Sequence, residues 1–118
     1  MQRDTRAYLS DILEAAAAIQ DATSTIDESG YGTSRLIRSA VEREFIIIGE
    51  ALKVLSQRDP QVFAAIPEGR QIIDFRNLLT HEYLNVSDTV VWGAIHTDLP
   101  VLIEHCREQF RHLEGGRR

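Results

Sequence analysis

The chain has a single cysteine, Cys106, so no intrachain disulfide can staple it. That thiol sits in a periodic apolar run, where cysteine acts as a small hydrophobe rather than a nucleophile. Long apolar runs are missing as well. No window approaches the ~20 residues that cross a bilayer, and residues 1–8 lack the apolar stretch of a secretory signal. The expectation is no membrane association and a cytoplasmic location. Basic excess is absent: 13 Lys and Arg face 18 Asp and Glu, a formal net charge of −5. A non-specific nucleic-acid binder carries a basic footprint. Any contact with nucleic acid must therefore be local, held by a few cations, or formed only in an oligomer. No segment alternates with period two over strand length, which excludes a sheet. There is no glycine-rich phosphate loop, no nucleophile-elbow serine and no Glu-x-x-His. His105, Glu108 and His112 share a helical face at metal-like spacing. A di-metal bundle needs Glu-x-x-His on two helices, so this trio reads as a solvated face. The expectation is no metal and no cofactor.

What is present is helical periodicity. At 118 residues the chain is one domain, expected over residues 1–114 with a flexible tail at 115–118. Leu9, Ile12, Leu13, Ala16 and Ile19 share one face of a helix predicted over residues 4–25. Gly30 and Gly32 break it, making residues 28–32 linker-like. Thr33 or Ser34 can cap a second helix running to residue 57. That helix carries two apolar stripes. Ile37, Val41, Phe45, Ile48, Leu52 and Leu55 form one; Leu36, Ala40, Ile47, Ala51 and Val54 form the other. A helix apolar on two sides is central or shared with a partner subunit. Gly49 inside it costs about 1 kcal/mol against alanine, which points to a close helix crossing. Asp59-Pro60 opens a short helix, and a fourth covers residues 68–81. Ser87 or Asp88 caps the last, whose stripe runs Val91, Ile95, Leu99, Leu102, Cys106, Phe110 and Leu113. Pro100 should kink that helix or restart it with Asp98 as cap. His96, beside the stripe, reads as a partly buried structural residue. The predicted fold is an all-α, up-and-down bundle of four long helices and one short one.

The densest polar cluster is Arg76-Asn77-Leu78-Leu79-Thr80-His81-Glu82-Tyr83, at the end of an amphipathic helix. Cations at a helix C-terminus suit the helix dipole in any protein. The residue types also suit RNA cleavage. Attack of a 2′-hydroxyl on the adjacent phosphate needs a base for that hydroxyl and an acid for the leaving oxygen. Histidine can be either near neutral pH. A guanidinium offers paired donors to the charged phosphate without a metal. Asn77 can orient the imidazole or hold a phosphate oxygen, and Tyr83 can stack on a base or bind phosphate. Arg76 and His81 lie about 140° apart on an ideal helix. They converge only if the helix unwinds near His81, if the arginine wraps round, or if two subunits bring their motifs together. Glu50, next to Gly49, is either surface charge or support for the site.

This cluster resembles the Arg-x4-His-x-Tyr motif of the HEPN superfamily, and is most similar to its HepT branch. Residues 8–14 resemble that family's first helix. Phe45-Ile46-Ile47-Ile48-Gly49-Glu50-Ala51-Leu52-Lys53 is similar to its Ile-Ile-Gly-Glu-Ala signature, and Val90-Val91-Trp92 with Thr97-Asp98-Leu99-Pro100 to its last helix. The resemblance implies a HEPN bundle forming a homodimer with two motifs facing one cleft. It implies a metal-independent endoribonuclease toxin that leaves a 2′,3′-cyclic phosphate, in a type VII-like toxin–antitoxin pair. Arg76 and His81 would be catalytic and Asn77 supportive. Tyr83 would be the residue that an MntA-like nucleotidyltransferase antitoxin modifies with AMP. Asp74 departs from the pattern, standing where relatives often have glycine; a carboxylate near the cleft would repel RNA. A non-catalytic HEPN module that docks a nucleotidyltransferase is the alternative, and the acidic balance leans toward it.

Overall fold

The computed structural model describes residues 3–81 and 86–115, which form six α-helices and no strand. They are α1 (Thr5–Thr23), α2 (Glu28–Thr33), α3 (Arg35–Arg58), α4 (Pro60–Ala64), α5 (Gly69–His81) and α6 (Asp88–Gly115). Of the expected tail at 115–118, Gly115 is the last residue of α6 and residues 116–118 lie outside the described residues.

Four of the starts have the same cause. Asp4, Asp27, Ser34 and Asp59 each accept a hydrogen bond on the side chain from a backbone N–H two or three residues ahead. Each satisfies a donor that the first helical turn leaves orphaned. Asp59 does more: its second oxygen accepts from the Thr5 hydroxyl at 2.9 Å, tying the start of α1 to the α3–α4 corner.

Helix α3 is the centre of the bundle. It packs against α1 and α5, with α4 and α2 at its ends, while α6 covers α1 and α2. Its first stripe is core: Val41, Phe45, Ile48 and Leu52 are fully buried. The second stripe is half open. Ala51 is buried and Ile47 and Val54 partly so, but Ala40 is exposed and Leu36 is 81% exposed.

Three sequence expectations need correction. Residues 28–32 are not a linker but lie in α2, so there are two short helices rather than one. The Asp27 cap and the complete burial of Tyr31 against the Trp92 ring, 5.8 Å away, explain it. Burying a large side chain gains about 1.5–3 kcal/mol, set against two glycines at about 1 kcal/mol each and a Tyr31 hydroxyl buried with no partner among the described residues. Helix α6 neither ends nor restarts at Pro100, so Asp98 is mid-helix and caps nothing. Pro100 cannot donate to the His96 carbonyl, but both residues are on the exposed side, where water can replace the missing bond. His96 itself is exposed rather than partly buried. Its ring lies 4.4 Å from that of Trp92.

Candidate active site

Helix α5 is held by its inner face. Ile72, Ile73 and Leu79 are buried, and Phe75 meets Phe45 of α3 edge-on at 5.1 Å. With those positions turned inward, Arg76, Asn77, Thr80 and His81 are left toward the surface.

Arg76 is the best-seated of the four. A methyl group on Gly49 would overlap the Cβ and Cγ of Arg76, so only glycine lets the arginine stem lie flat on α3. The in-helix glycine does mark a close crossing. The side chain is 19% exposed, and its Nη1 donates to Asn77 Oδ1 at 2.7 Å. Nη2 stands 3.7 Å from Glu50 Oε1, but that carboxylate is 58% exposed, and an exposed pair contributes only about 0–1 kcal/mol. Nε is buried with no partner among the described residues. A buried donor left unpaired costs about 1–3 kcal/mol. The guanidinium is thus positioned by packing; its unpaired Nε is buried, and the donors left for an incoming anion are those of Nη1 and Nη2, which have only Asn77 and the more distant Glu50 beside them.

His81 contrasts with it. It is the last residue of α5, it is exposed, and its side chain makes no hydrogen bond to another described residue. The helix stays α-helical through His81. Unwinding before that residue is therefore not how Arg76 and His81 converge. Arg76 bonds Asn77, which lies one turn before His81 on the same helix face, and stands near Glu50. Asn77 spends its carbonyl oxygen on Arg76 and does not orient the imidazole. Tyr83 lies outside the described residues. Asp74 is exposed and borders a groove of about 340 Å³ between α5 and α6, lined also by Phe75, Leu78, Val90 and Ala94. It lies about 200° round the helix from Arg76, away from the Gly49 seat.

The other candidate groups are placed elsewhere. His105 Nδ1 lies 2.8 Å from Glu68 Oε1, joining α6 to the residue just ahead of α5. The hydrogen bond to Glu68 raises the His105 pKa, burial opposes the rise, and the charges of Glu68, Glu104 and Glu108 add to it. Glu108 and His112 are exposed, and no group of three metal-binding side chains occurs among the described residues. Cys106 is fully buried, and burial, with Glu68 adding, pushes its thiol up to about 12. At neutral pH it stays protonated and unreactive. Sequence reasoning missed the Glu68–His105 pair, which spans 37 positions and leaves no local signal. It also missed a second cluster, in which Arg58 Nη1 donates to the Tyr8 hydroxyl at 3.2 Å.

These features define a class: a small helical bundle whose central crossing presents a guanidinium, with an exposed imidazole at the end of the same helix. The chain belongs to the Ribonuclease HepT-like family, whose model matches residues 12–109, and this places it among ribonucleases. It is 32% identical over 99 residues to a Methanocaldococcus jannaschii protein named "Putative RNase", covering 84% of this chain and 90% of that one. It is also 32% identical over 102 residues to the "Probable ribonuclease HepT" of Thermococcus cleftensis, covering 86% and 92%. A larger M. jannaschii protein, named as a gamma-glutamylcyclotransferase and putative RNase, is 30% identical over 117 residues. There the match takes 99% of this chain but only 52% of the relative, so the chain spans about half of that protein. No solved structure gives a significant match.

Proposed function

We propose that the chain is a metal-independent endoribonuclease toxin that uses Arg76 and His81. The observation that carries this reading is the seating of Arg76 on Gly49, which fixes its guanidinium on the helix that ends in His81. In the proposed step the 2′-hydroxyl loses its proton to a base and its oxygen attacks the adjacent phosphorus. The bond to the 5′ oxygen breaks, and that oxygen takes a proton from an acid. The products are a 2′,3′-cyclic phosphate and a 5′-hydroxyl. His81 serves as base or acid. Arg76 neutralises the charge gained by the phosphate, the role a metal plays in other nucleases, with Asn77 and Glu50 holding its position.

A homodimer completes the site. The 140° offset between Arg76 and His81 persists in a regular helix, and no hydrogen bond joins the two side chains among the described residues, so a second motif supplies the missing group. The apolar groove beside α5, with Val90 54% exposed at its edge, supports an assembly built on the motif helix. Silencing by a nucleotidyltransferase antitoxin follows if Tyr83, two residues past His81, accepts AMP. The added phosphate would pair with Arg76 and fill the cleft.

The deciding experiment incubates the purified chain with RNA in the presence of a chelator. Cleavage products ending in a 2′,3′-cyclic phosphate, and their loss when the scissile nucleotide is 2′-deoxy, are expected. No cleavage from a folded dimer would favour the docking-module reading, which the net charge of −5 also suits. Co-expression with the antitoxin should add AMP-sized mass increments that vanish in Tyr83→Phe. Increments that persist would place the modified residue elsewhere.

A further inference from the structure

A second cationic site lies on the far side of Glu50 from Arg76, at the junction of α1 and α3. Three side chains meet there from separate parts of the chain. The guanidinium carbon of Arg3 is 4.8 Å from the Tyr8 ring centroid, and that of Arg58 is 5.9 Å from it. Arg58 Nη1 also donates to the Tyr8 hydroxyl at 3.2 Å. Because that hydroxyl accepts from Arg58, its own hydrogen is free to donate outward. Arg58 keeps most of its five donors and has no carboxylate partner among the described residues. The pair therefore offers convergent donors to one anion. Arg3 is bound to Asp11 at 2.7 Å, but both are well exposed, so the link is weak.

The position matters as much as the chemistry. A groove of about 200 Å³ joins Arg3 and Tyr8 to Glu50, with Asp11 also on its wall and Arg58 outside its lining. Glu50 is the residue that stands 3.7 Å from Arg76. From Glu50 to Arg58 is eight residues of α3, about 12 Å along the axis. A short run of single-stranded backbone covers that distance. A guanidinium backed by an aromatic ring presents its other face to an unpaired base, which a duplex keeps stacked inside.

We infer that Arg58, Tyr8 and Arg3 form a subsite for single-stranded RNA, binding a phosphate and a neighbouring base away from the scissile bond. This rests on the ribonuclease reading and extends it. An acidic chain has to concentrate its RNA contacts at few points, and this cluster supplies one outside the motif. Glu50 and Asp11 border the path and repel phosphates, which leaves Arg58, with no carboxylate partner among the described residues, as the anion contact.

The test measures binding of a labelled single-stranded RNA of about 12 nucleotides by fluorescence anisotropy. It uses His81→Ala protein so that the RNA persists. Arg58→Gln and Tyr8→Phe remove only the polar groups at issue, and circular dichroism checks the fold of each. Arg58→Gln should weaken binding about tenfold and lower the salt dependence by about 0.7, the loss of one single-strand phosphate contact. Tyr8→Phe should weaken it severalfold. With His81 restored, both variants should cleave a dinucleotide at the wild-type rate and the longer RNA more slowly. Unchanged affinity and salt slope in folded Arg58→Gln would overturn the subsite, even if the wild type cleaves RNA. Equal loss of affinity for duplex RNA would overturn the base-stacking role. Anisotropy that responds as expected in a protein that never cleaves would sink the ribonuclease reading and leave the subsite standing.

Discussion

Arg76 and His81 sit five residues apart on one helix and are treated oppositely by the fold. Arg76 is clamped: Gly49 opens a slot for its stem, Asn77 takes one of its donors, and four-fifths of the side chain is out of water. His81 has no slot, no partner among the described residues and no cover. The difference follows from where each sits on α5. Arg76 is next to Phe75, which the Phe45 contact pins to α3, whereas His81 lies past the last buried anchor, Leu79. In the proposed mechanism Arg76 stabilises charge and His81 transfers a proton, and a charge-stabilising group works best preorganised. A proton-transfer group has only to reach its substrate, and its geometry tightens on binding.

That contrast can be broken at several points. His81→Ala should lower RNA cleavage by ~10²–10⁴ while leaving the melting temperature unchanged, since nothing described rests on the imidazole. A clear fall in melting temperature would show a structural role. Gly49→Ala attacks the clamped side. The added methyl overlaps Arg76, an overpacking cost of about 1–3 kcal/mol, partly offset by about 1 kcal/mol of helix propensity. Cleavage should fall at least tenfold because Arg76 is displaced; a stable variant with wild-type activity would show that the seat is dispensable. The Glu68–His105 pair should give α5 a pH-dependent tether. Its histidine pKa is raised in the folded state, so its contribution is complete below the ordinary value of 6.5 and fades as the pH climbs through the raised value. Thermal melts of wild type and His105→Asn should differ most in mild acid and converge in mild alkali. Divergence toward alkali would refute the pairing. Glu50→Gln should have the smallest effect, under about 1 kcal/mol on stability, with a modest change in cleavage. A collapse of activity would mean that Glu50 does more than steady Arg76.

Much of this was legible in residue order. The stripes of α1 and α6 are buried from Leu9 to Ile19, apart from the half-buried Leu13, and from Val91 to Cys106, because an amphipathic helix has one way to face a core. Asp59-Pro60 read correctly as a helix start, and Gly49 as a crossing. What failed involved contacts between distant segments. Two glycines hid α2, whose stability comes from Tyr31 meeting Trp92, 61 positions away. Pro100 suggested a break that an exposed helix face tolerates. In the candidate site, the motif named Arg76 and Asn77 without showing that they bond each other rather than His81. Nor does any local pattern join Tyr8 to Arg58, 50 positions on.

The seat of Arg76 also has a place in the order of synthesis. It is assembled from α3 and α5 alone, between residues 35 and 81, and its contacts bridge short stretches of chain. The bonds that close the bundle span far more: Arg6 reaches Glu114 across 108 positions. Contacts close in sequence have less loop entropy to overcome and form sooner. On a ribosome that releases the N-terminal part first, the arginine slot can be built while α6 is still being made. Closure of the bundle then comes late, at the joining of the first helix to the last.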